Sequence, residues 1–295
     1  MTARRRAPIN IVVGTGYVGQ RYLAQQADDS AIGLNRHQVP TRQQTEIFDL
    51  DTDSTLPITL PDRYSVLYTV APSPDFESDV RLQRLLTVLT SAPERFVYIS
   101  TTGVYGNRNG ERVDEATPPD PMTGRARLRV AAERLLQSWA GEHHVNLVIL
   151  RVPGIYGPQR LGIQRIRDGV PAIDDREANP GNRIHVDDLV ACCVAALSSE
   201  APDGIYNVGD GNFRSPTWFS SEVARQCGLD APPIVSRATA EREFSPMRLS
   251  FLSESRRADT TKMREVLGVT PQYTNAEDGI RASLAEELRL AAFTS

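Results

Sequence analysis

Lysine is the most conspicuous absence from this chain of 295 residues, because Lys262 is its single example. Cysteine is also scarce: Cys192 and Cys193 are neighbours, and Cys227 stands far from both. These three thiols match no metal-ligand spacing, so we expect no metal site. Reduced cysteines in a cytoplasmic protein are the simplest interpretation.

The chain also lacks a strong positive charge and any long apolar run. Its formal net charge is −4, which gives no field for attracting nucleic acid. The only basic run, residues 4–6, predicts a solvated terminus rather than a targeting signal. No stretch reaches the length of a membrane span, and the start of the chain lacks the apolar core of a signal peptide. We therefore expect neither a nucleic-acid partner nor a membrane partner.

What the chain does contain is an alternation of short apolar runs and helical patterns. Apolar runs without polar alternation are typical of strands that are covered on both faces, which favours a parallel sheet between helices. The predicted fold is an α/β, Rossmann-type, doubly wound parallel sheet. Its strands are predicted at residues 9–13, 31–34, 46–48, 65–70, 95–100, 145–150 and 205–208, and its helices at 17–26, 79–90, 125–140 and 187–197.

The alternating pattern dissolves in two later parts of the chain. We predict that residues 1–153 and about 185–208 form a dinucleotide-binding Rossmann domain. Residues of about 154–184 and 209–295 are then expected to gather into a small C-terminal substrate lobe. Ligands of such folds bind outside the carboxyl ends of the strands, which is where this lobe would lie.

A glycine-rich turn follows the first apolar run and precedes the first helical pattern. Gly14 allows the tight turn, Gly16 leaves no Cβ between the main chain and a diphosphate, and Gly19 lets the helix pack close to its strand. Tyr17 and Val18 open the helix, whose free N–H groups attract anions. The motif with this context predicts that the chain binds a nucleotide cofactor.

Most of the chain resembles the extended short-chain dehydrogenase/reductases, the NAD-dependent epimerase/dehydratase family. The likeness depends on motifs in a fixed order rather than on one signature. These are the segments 14–19, 99–106 (Ile-Ser-Thr-Thr-Gly-Val-Tyr-Gly), 150–158 (Leu-Arg-Val-Pro-Gly-Ile-Tyr-Gly-Pro), 183–188 (Arg-Ile-His-Val-Asp-Asp), 206–209 and 261–268.

The resemblance implies a Tyr-x-x-x-Lys pair on the helix after the fifth strand, and this chain departs from it. By its spacing we place Thr123 at the tyrosine and Arg127 at the lysine. Arg127 can hold ribose hydroxyls but does not titrate near neutral pH. Thr101 matches the residue that binds a substrate oxygen, although a hydroxyl that only caps the main chain at the strand end is the alternative. Tyr105 is a candidate replacement acid if its ring faces the cleft, and otherwise a packing residue.

The cofactor is expected to be NADP, with NAD as the alternative. The second strand ends in Asn35 and Arg36, and an arginine there suits a 2′-phosphate where a carboxylate would repel it. An ordinary solvated surface arginine is the other interpretation of Arg36. By resemblance further residues line the cofactor site, namely Asp49 and Leu50 beside the adenine, with Ala71, Pro72 and Pro153.

The substrate is expected to be a small polar metabolite. Its candidate binding residues are Thr102, Thr123, Tyr156, Arg183 and His185, of which Tyr156 and His185 are also weaker candidates for the catalytic acid. Nucleotide-sugar relatives carry an asparagine where this chain has Gly154, so a nucleotide sugar is disfavoured. Arg183 either binds a carboxylate or phosphate of the metabolite or pairs with one of the two aspartates that follow it.

Two functional hypotheses remain open from sequence. The first is an NAD(P)-dependent oxidoreductase of the epimerase/dehydratase type, with atypical catalytic residues. The second is a non-catalytic NADP-binding redox sensor or regulatory protein, favoured by the loss of both members of the tyrosine–lysine pair. A homodimer built on the helices near 79–90 and 125–140 is implied by the resemblance alone.

Overall fold

The computed structural model describes residues 7–73, 78–252 and 254–294. The basic run at residues 4–6 lies outside these segments. The strands of the described residues are β1 Ile9–Val13, β2 Ala31–Asn35, β3 Gln44–Ile47, β4 Tyr64–Tyr68, β5 Arg95–Thr101, β6 Arg112–Val113, β7 Asn146–Val152, β8 Gly154–Tyr156, β9 Ala172–Ile173, β10 Arg183–His185, β11 Gly204–Asn207, β12 Ile234–Val235 and β13 Arg257–Ala258.

Helices separate most of the long strands. A 3₁₀ turn, Thr102–Tyr105, follows β5 directly. The α-helices are α1 Tyr17–Ala24, α2 Val80–Val88, α3 Gly124–His143, α4 Ile163–Arg167, α5 Val186–Leu197, α6 Pro216–Cys227, α7 Arg237–Glu243, α8 Pro246–Leu252, α9 Thr261–Glu265 and α10 Ala276–Thr294.

Seven strands form the central sheet, in the order β11-β7-β5-β4-β1-β2-β3, and every pairing is parallel. The predicted Rossmann-type fold is therefore confirmed. The order reverses beside β1, so the glycine-rich turn after β1 lies at the topological switch point, where ligands of open α/β sheets bind.

Both faces of this sheet are buried, which explains the continuous apolar runs. Val12 of β1 packs with side chains of α1 and α5 on one face. Its neighbours Ile11 and Val13 pack with side chains of α2 and α3 on the other face. Successive side chains of a strand point to opposite faces, so a strand covered on both sides needs apolar residues at every position.

Short parallel pairs replace the long strands in the segments assigned to a second lobe. These pairs are β8 with β10 and β9 with β12, while β13 pairs with β6 of the segment assigned to the Rossmann domain. A separate apolar cluster joins α4, α6 and α10, and includes Ile280. Later in α10, Leu288 is 73% exposed and lies outside this cluster. The division into two lobes stays a prediction.

Two kinds of feature are missing from the described segments. No helix there is long and apolar enough to cross a membrane. No group of three or more His, Cys, Asp or Glu residues among them could hold a metal ion. All three cysteines are unpaired, and burial raises the pKa of the Cys193 thiol to about 12, which leaves it unreactive.

Candidate functional site

A cavity of about 430 Å³ lies at the carboxyl ends of the central strands, beside the start of α1. It is bounded by the glycine-rich turn, by the ends of β2 and β5, and by the loop after β3. Most of the residues predicted to bind the cofactor line this cavity, and Thr101 lines it too. They are Gly14, Gly16, Tyr17, Val18, Asn35, Arg36, Asp49, Leu50 and Pro153.

Each glycine of the turn has a different environment. Gly14 has φ +90°, and a Cβ there would lie 2.7 Å from Thr69 Oγ1. A Cβ on Gly19 would overlap the carbonyl oxygen of Gly14, so Gly19 packs the helix rather than lining the cavity. A Cβ on Gly16 would meet no atom within 4 Å, and Gly16 borders the cavity. Packing therefore requires a glycine at positions 14 and 19 but not at position 16. A glycine at position 16 is expected where the main chain comes close to a ligand.

Three linked charged groups lie at the far end of this cavity, beside Asp49. Arg36 is half-exposed, and its Nη1 lies 3.7 Å from Asp51 Oδ2. Asp51 is held more tightly by Arg81, whose Nε and Nη2 donate to the two carboxylate oxygens over 2.7 and 2.6 Å. These bonds lower the pKa of the Asp51 carboxyl. Arg36 therefore lines the cavity with its charge only weakly engaged.

A second cavity, of about 710 Å³, adjoins the first. Thr102, Thr123, Tyr156 and Arg183, which were assigned to the substrate, all line it, and Thr101 lines both cavities. Ala71 and Pro72 were expected beside the cofactor, but they border this second cavity, since the chain after β4 turns toward it. The structure thus brings most of the predicted site residues to two connected spaces.

Arg129 stands where the two cavities meet, and sequence reasoning missed it. Its Nη1 donates to Tyr98 Oη and to the carbonyl oxygen of Ile99, both over 2.9 Å, and to Val70 O over 3.3 Å. All three acceptors are neutral. Arg129 therefore holds a fixed positive charge at the junction, within reach of both cavities.

Arg127, which was expected at this place, is corrected by the structure. Its side chain is exposed, and its Nη1 donates to the carbonyl oxygen of Met122 over 3.1 Å. It lines neither of the two cavities. Thr123 ends the loop before α3 and caps the helix, its Oγ1 accepting from Ala126 N over 3.4 Å. Two residues along a helix differ by about 200° in direction, so Arg129 faces the cleft and Arg127 does not.

Tyr105 does not face the cleft either, so the structure contradicts its role as a replacement acid. The side chain is fully buried, and its hydroxyl donates to Asn207 Oδ1 over 2.7 Å. The Arg151 guanidinium lies 4.8 Å from the ring centroid. Burial raises the pKa of Tyr105. It belongs to the packing behind the cavity wall.

The same buried network contains an ion pair between neighbouring elements. Arg151 of β7 donates through Nε and Nη2 to the two carboxylate oxygens of Glu133 in α3, over 3.2 and 2.7 Å. Ser100 Oγ donates to the same carboxylate over 2.5 Å. The Arg151 and Glu133 side chains are only 3% and 4% exposed. This pair fixes α3, and hence Arg129, against the sheet.

Tyr156 and His185 pack against each other, with ring centroids 5.2 Å apart. Tyr156 lines the second cavity, but its hydroxyl lies against Gly279 of α10, and burial raises its pKa. His185 is not among the residues lining either cavity. It caps α5, its Nε2 lies 3.1 Å from Ser283 Oγ, and burial lowers its pKa to about 4. A neutral, buried imidazole of this kind is structural.

Arg183 is the remaining predicted residue, and it pairs with neither aspartate that follows it. Asp187 binds Arg21, and Asp188 accepts from the main-chain N–H groups of Gln272 and Tyr273. Arg183 itself donates to the carbonyl oxygens of Arg214 and Ser215. Of the two interpretations drawn from sequence, the pairing with an aspartate is wrong.

Together these features fit a nicotinamide dinucleotide in the first cavity. Gly16 leaves the space that a diphosphate needs at the start of α1, and no side chain caps that helix. Asn35, Arg36 and Asp49 surround the far end, and Thr101 with Arg129 marks the near end. Between the ends stands Tyr17, whose hydroxyl donates to Pro158 O over 2.8 Å and whose ring lies 4.1 Å from the Arg160 guanidinium.

Comparison with known proteins agrees with this arrangement. Residues 69–209, just under half of the chain, match the NAD dependent epimerase/dehydratase family. A dTDP-glucose 4,6-dehydratase from Streptomyces niveus is 27% identical over 192 residues, which are 62% of this chain and 54% of that protein. The chain spans less than two thirds of the length of the curated relatives it matches.

Solved structures resemble the chain over nearly its whole length. A functionally unknown conserved protein from Silicibacter pomeroyi is 27% identical, with a TM-score of 0.77 over 95% of this chain and 99% of that one. The UDP-glucuronic acid 4-epimerase from Bacillus cereus, solved with NAD, is 20% identical, with a TM-score of 0.72 over 95% and 99%. The latter likeness shows the fold alone.

Proposed function

We propose that this protein is an NAD(P)-dependent oxidoreductase of the epimerase/dehydratase type, that it prefers NADP, and that it acts on a small polar metabolite. One observation supports this above the others. The glycine-lined cavity and the larger second cavity meet at Thr101 and Arg129. A cofactor in the first space would present its reactive end to a substrate in the second.

The preference for NADP is supported by the far end of the first cavity. Arg36 lines it with one weak ionic contact, and its partner Asp51 is already held by Arg81. A guanidinium that is not committed to a carboxylate can bind a 2′-phosphate. The Bacillus cereus epimerase was solved with NAD, so NAD remains the alternative.

The residues at the junction have separate roles in this proposal. When bound, the nicotinamide ring supplies a hydride donor or acceptor. Thr101 Oγ1 accepts from Gly103 N over 3.1 Å, so its hydroxyl hydrogen is free to bond a substrate oxygen. Arg129 supplies positive charge beside that oxygen, and its three neutral acceptors keep it there. It does not transfer a proton near neutral pH.

A metabolite smaller than a nucleotide sugar is proposed because of the second cavity's lining. Gly154 contributes no side chain where the resemblance implies an asparagine. The neighbouring Asn182 is occupied, since its amide nitrogen donates to Arg256 O and its amide oxygen accepts from Ala258 N. A nucleotide sugar is the alternative substrate, because the similar proteins include a dTDP-glucose 4,6-dehydratase and a UDP-glucuronic acid 4-epimerase.

Calorimetric titration with NADPH and NADH tests the cofactor proposal. We expect NADPH to bind the natural protein more tightly by about 10- to 100-fold, the value of a charge-assisted contact. Arg36→Ala should remove that difference by weakening NADPH alone. Arg42→Ala, which removes an exposed charge outside the cavity lining, is the matched control. Equal binding of the two coenzymes would refute the preference.

Turnover separates the enzyme from the non-catalytic sensor. The protein loaded with NADPH or NADP is offered a panel of small carbonyl and hydroxyl metabolites, and the nicotinamide absorbance is followed. Substrate-dependent oxidation or reduction that disappears in Thr101→Val supports the enzyme. Tight NADPH binding without turnover on any member of the panel would instead favour the redox-sensing role.

We also propose a cytoplasmic location and a homodimer. The three unpaired cysteines support the first, since they suit a reducing compartment. The second depends on the family resemblance, with α2 and α3 as the interface. Sedimentation tests the dimer: we expect the natural protein to sediment as a dimer and Leu135→Arg, a variant in α3, as a monomer.

A further inference from the structure

The second cavity is rich in positive charge. Five arginines line it, Arg125, Arg129, Arg160, Arg183 and Arg256, against a single acid, Glu254. Glu254 is already bound to Arg256, whose Nη1 lies 2.9 Å from its Oε2. The remaining charge of the lining is therefore strongly positive.

Arg183 is the only one of these five arginines that is buried. Arg129 and Arg160 line both cavities, so a bound cofactor shares their charge. Arg183 lines the second cavity but not the first. It is 6% exposed and forms no ion pair with a described carboxylate, and its Nη1 has no hydrogen-bond partner among the described residues. A buried guanidinium without a counter-ion destabilises the folded protein unless an anion binds it.

The surroundings of Arg183 hold its plane in place. Its guanidinium carbon lies 5.1 Å from the ring centroid of Phe219 and 5.9 Å from that of Trp218. Its Nη2 is tethered to the carbonyl oxygens of Arg214 and Ser215. Two rings and two carbonyls leave the charge rigid and oriented, as a pre-organised anion site requires.

One acid lies within electrostatic range of Arg183. Asp210 is buried, its Oδ1 accepts from Asn212 N over 2.8 Å, and its Oδ2 has no partner among the described residues. It forms no ion pair with Arg183 and does not line the second cavity. Burial raises the pKa of its carboxyl to about 7, so near neutral pH it cancels only part of the arginine charge.

We infer that the substrate carries a carboxylate or a phosphate, and that Arg183 binds this anionic group in the part of the second cavity remote from the junction. This deepens the proposed function, on which it rests. The metabolite would span from Arg183 to Thr101, with its reacting carbon at one end and its acid group at the other.

Fluorescence of Trp218 tests the site directly, without turnover. The chain has only one other tryptophan, Trp139, which packs on Phe96 and His143 outside the cavity. In a Trp139→Phe background the protein is titrated with inorganic phosphate and with succinate, and with sodium chloride at matched ionic strength. We expect a saturable change with at least one of the first two and none with chloride.

Variants then assign the binding to Arg183. Arg183→Met should weaken the responding anion by at least about 10-fold. Arg225→Met removes an exposed arginine from the same helix as Trp218 and should change nothing. Asp210→Asn, which keeps the side chain's shape, should tighten binding several-fold by removing the opposing charge. That variant keeps the test decisive if Arg183→Met does not fold.

The outcomes are distinguishable. Unchanged affinity in Arg183→Met or in Asp210→Asn, or an equal response to chloride, would overturn the anion site. NADPH binding is measured on the same samples. Binding of NADPH without any anion response overturns this inference alone, whereas an anion response without NADPH binding overturns the proposed cofactor chemistry alone. The stronger of the phosphate and succinate responses identifies the acid group of the substrate.

Discussion

The buried pair between Glu133 and Arg151 makes the strongest prediction about stability. Both side chains are almost fully buried, and the carboxylate also accepts from Ser100. Glu133→Gln leaves the Arg151 charge buried without its counter-ion, so we expect a loss of about 3–5 kcal/mol in the free energy of unfolding. The exposed pair of Arg63 and Glu94 is the matched control. Glu94→Gln should cost less than about 1 kcal/mol.

Urea unfolding followed by circular dichroism measures these changes. A double variant, Glu133→Leu with Arg151→Met, removes both charges and keeps similar volumes. It should lose less than Glu133→Gln alone, because replacing a whole buried pair by apolar groups is often nearly neutral. The reasoning is refuted if Glu133→Gln costs less than about 1 kcal/mol, or if the double variant loses as much stability as Glu133→Gln alone.

Three further predictions concern single positions. Gly279→Ala should lower the free energy of unfolding by about 1–3 kcal/mol, because a Cβ there would overlap the Tyr156 ring. The control Gly141→Ala, with open space around it, should raise that free energy slightly. The midpoints of urea unfolding measure both changes. Gly16→Ala should leave that midpoint unchanged and weaken NADPH binding by about 10-fold or more, and equal binding in calorimetry would contradict the role of the turn. Burial lowers the pKa of His185 to about 4, whereas the imidazole of the unfolded chain binds its proton near pH 6.5. Stability should therefore fall as the pH drops from about 6.5 to about 4. His185→Gln should make this fall in the urea midpoint smaller.

The sheet was predictable because each strand carries its own signal. β4 is buried at all five positions, so its sequence is apolar or aromatic throughout apart from one serine. The glycine turn was equally local, since strand, turn and helix follow within twenty residues. Such features depend on neighbours in sequence, and the predicted strands fall within a few residues of those observed.

The site was harder to predict because it depends on rotation and on distant contacts. The step from Arg127 to Arg129 is two residues, yet it turns the side chain from solvent into the cleft. Nothing local to Tyr105 reveals that its hydroxyl meets Asn207, about a hundred residues later. The signal that could have found Arg129 is its helical phase, since it lies one turn before the buried Glu133 on α3.

The pairing of β13 with β6 has a consequence for synthesis on the ribosome. The segment carrying Glu254 and Arg256 is bound to residues 108–113 by main-chain hydrogen bonds, including those from Arg108 N and Gly110 N to Ser255 O. One wall of the second cavity thus arrives late in translation. Until β13 is synthesised, β6 lacks its partner strand. We therefore expect chaperones to bind chains stalled before residue 254 more than longer chains.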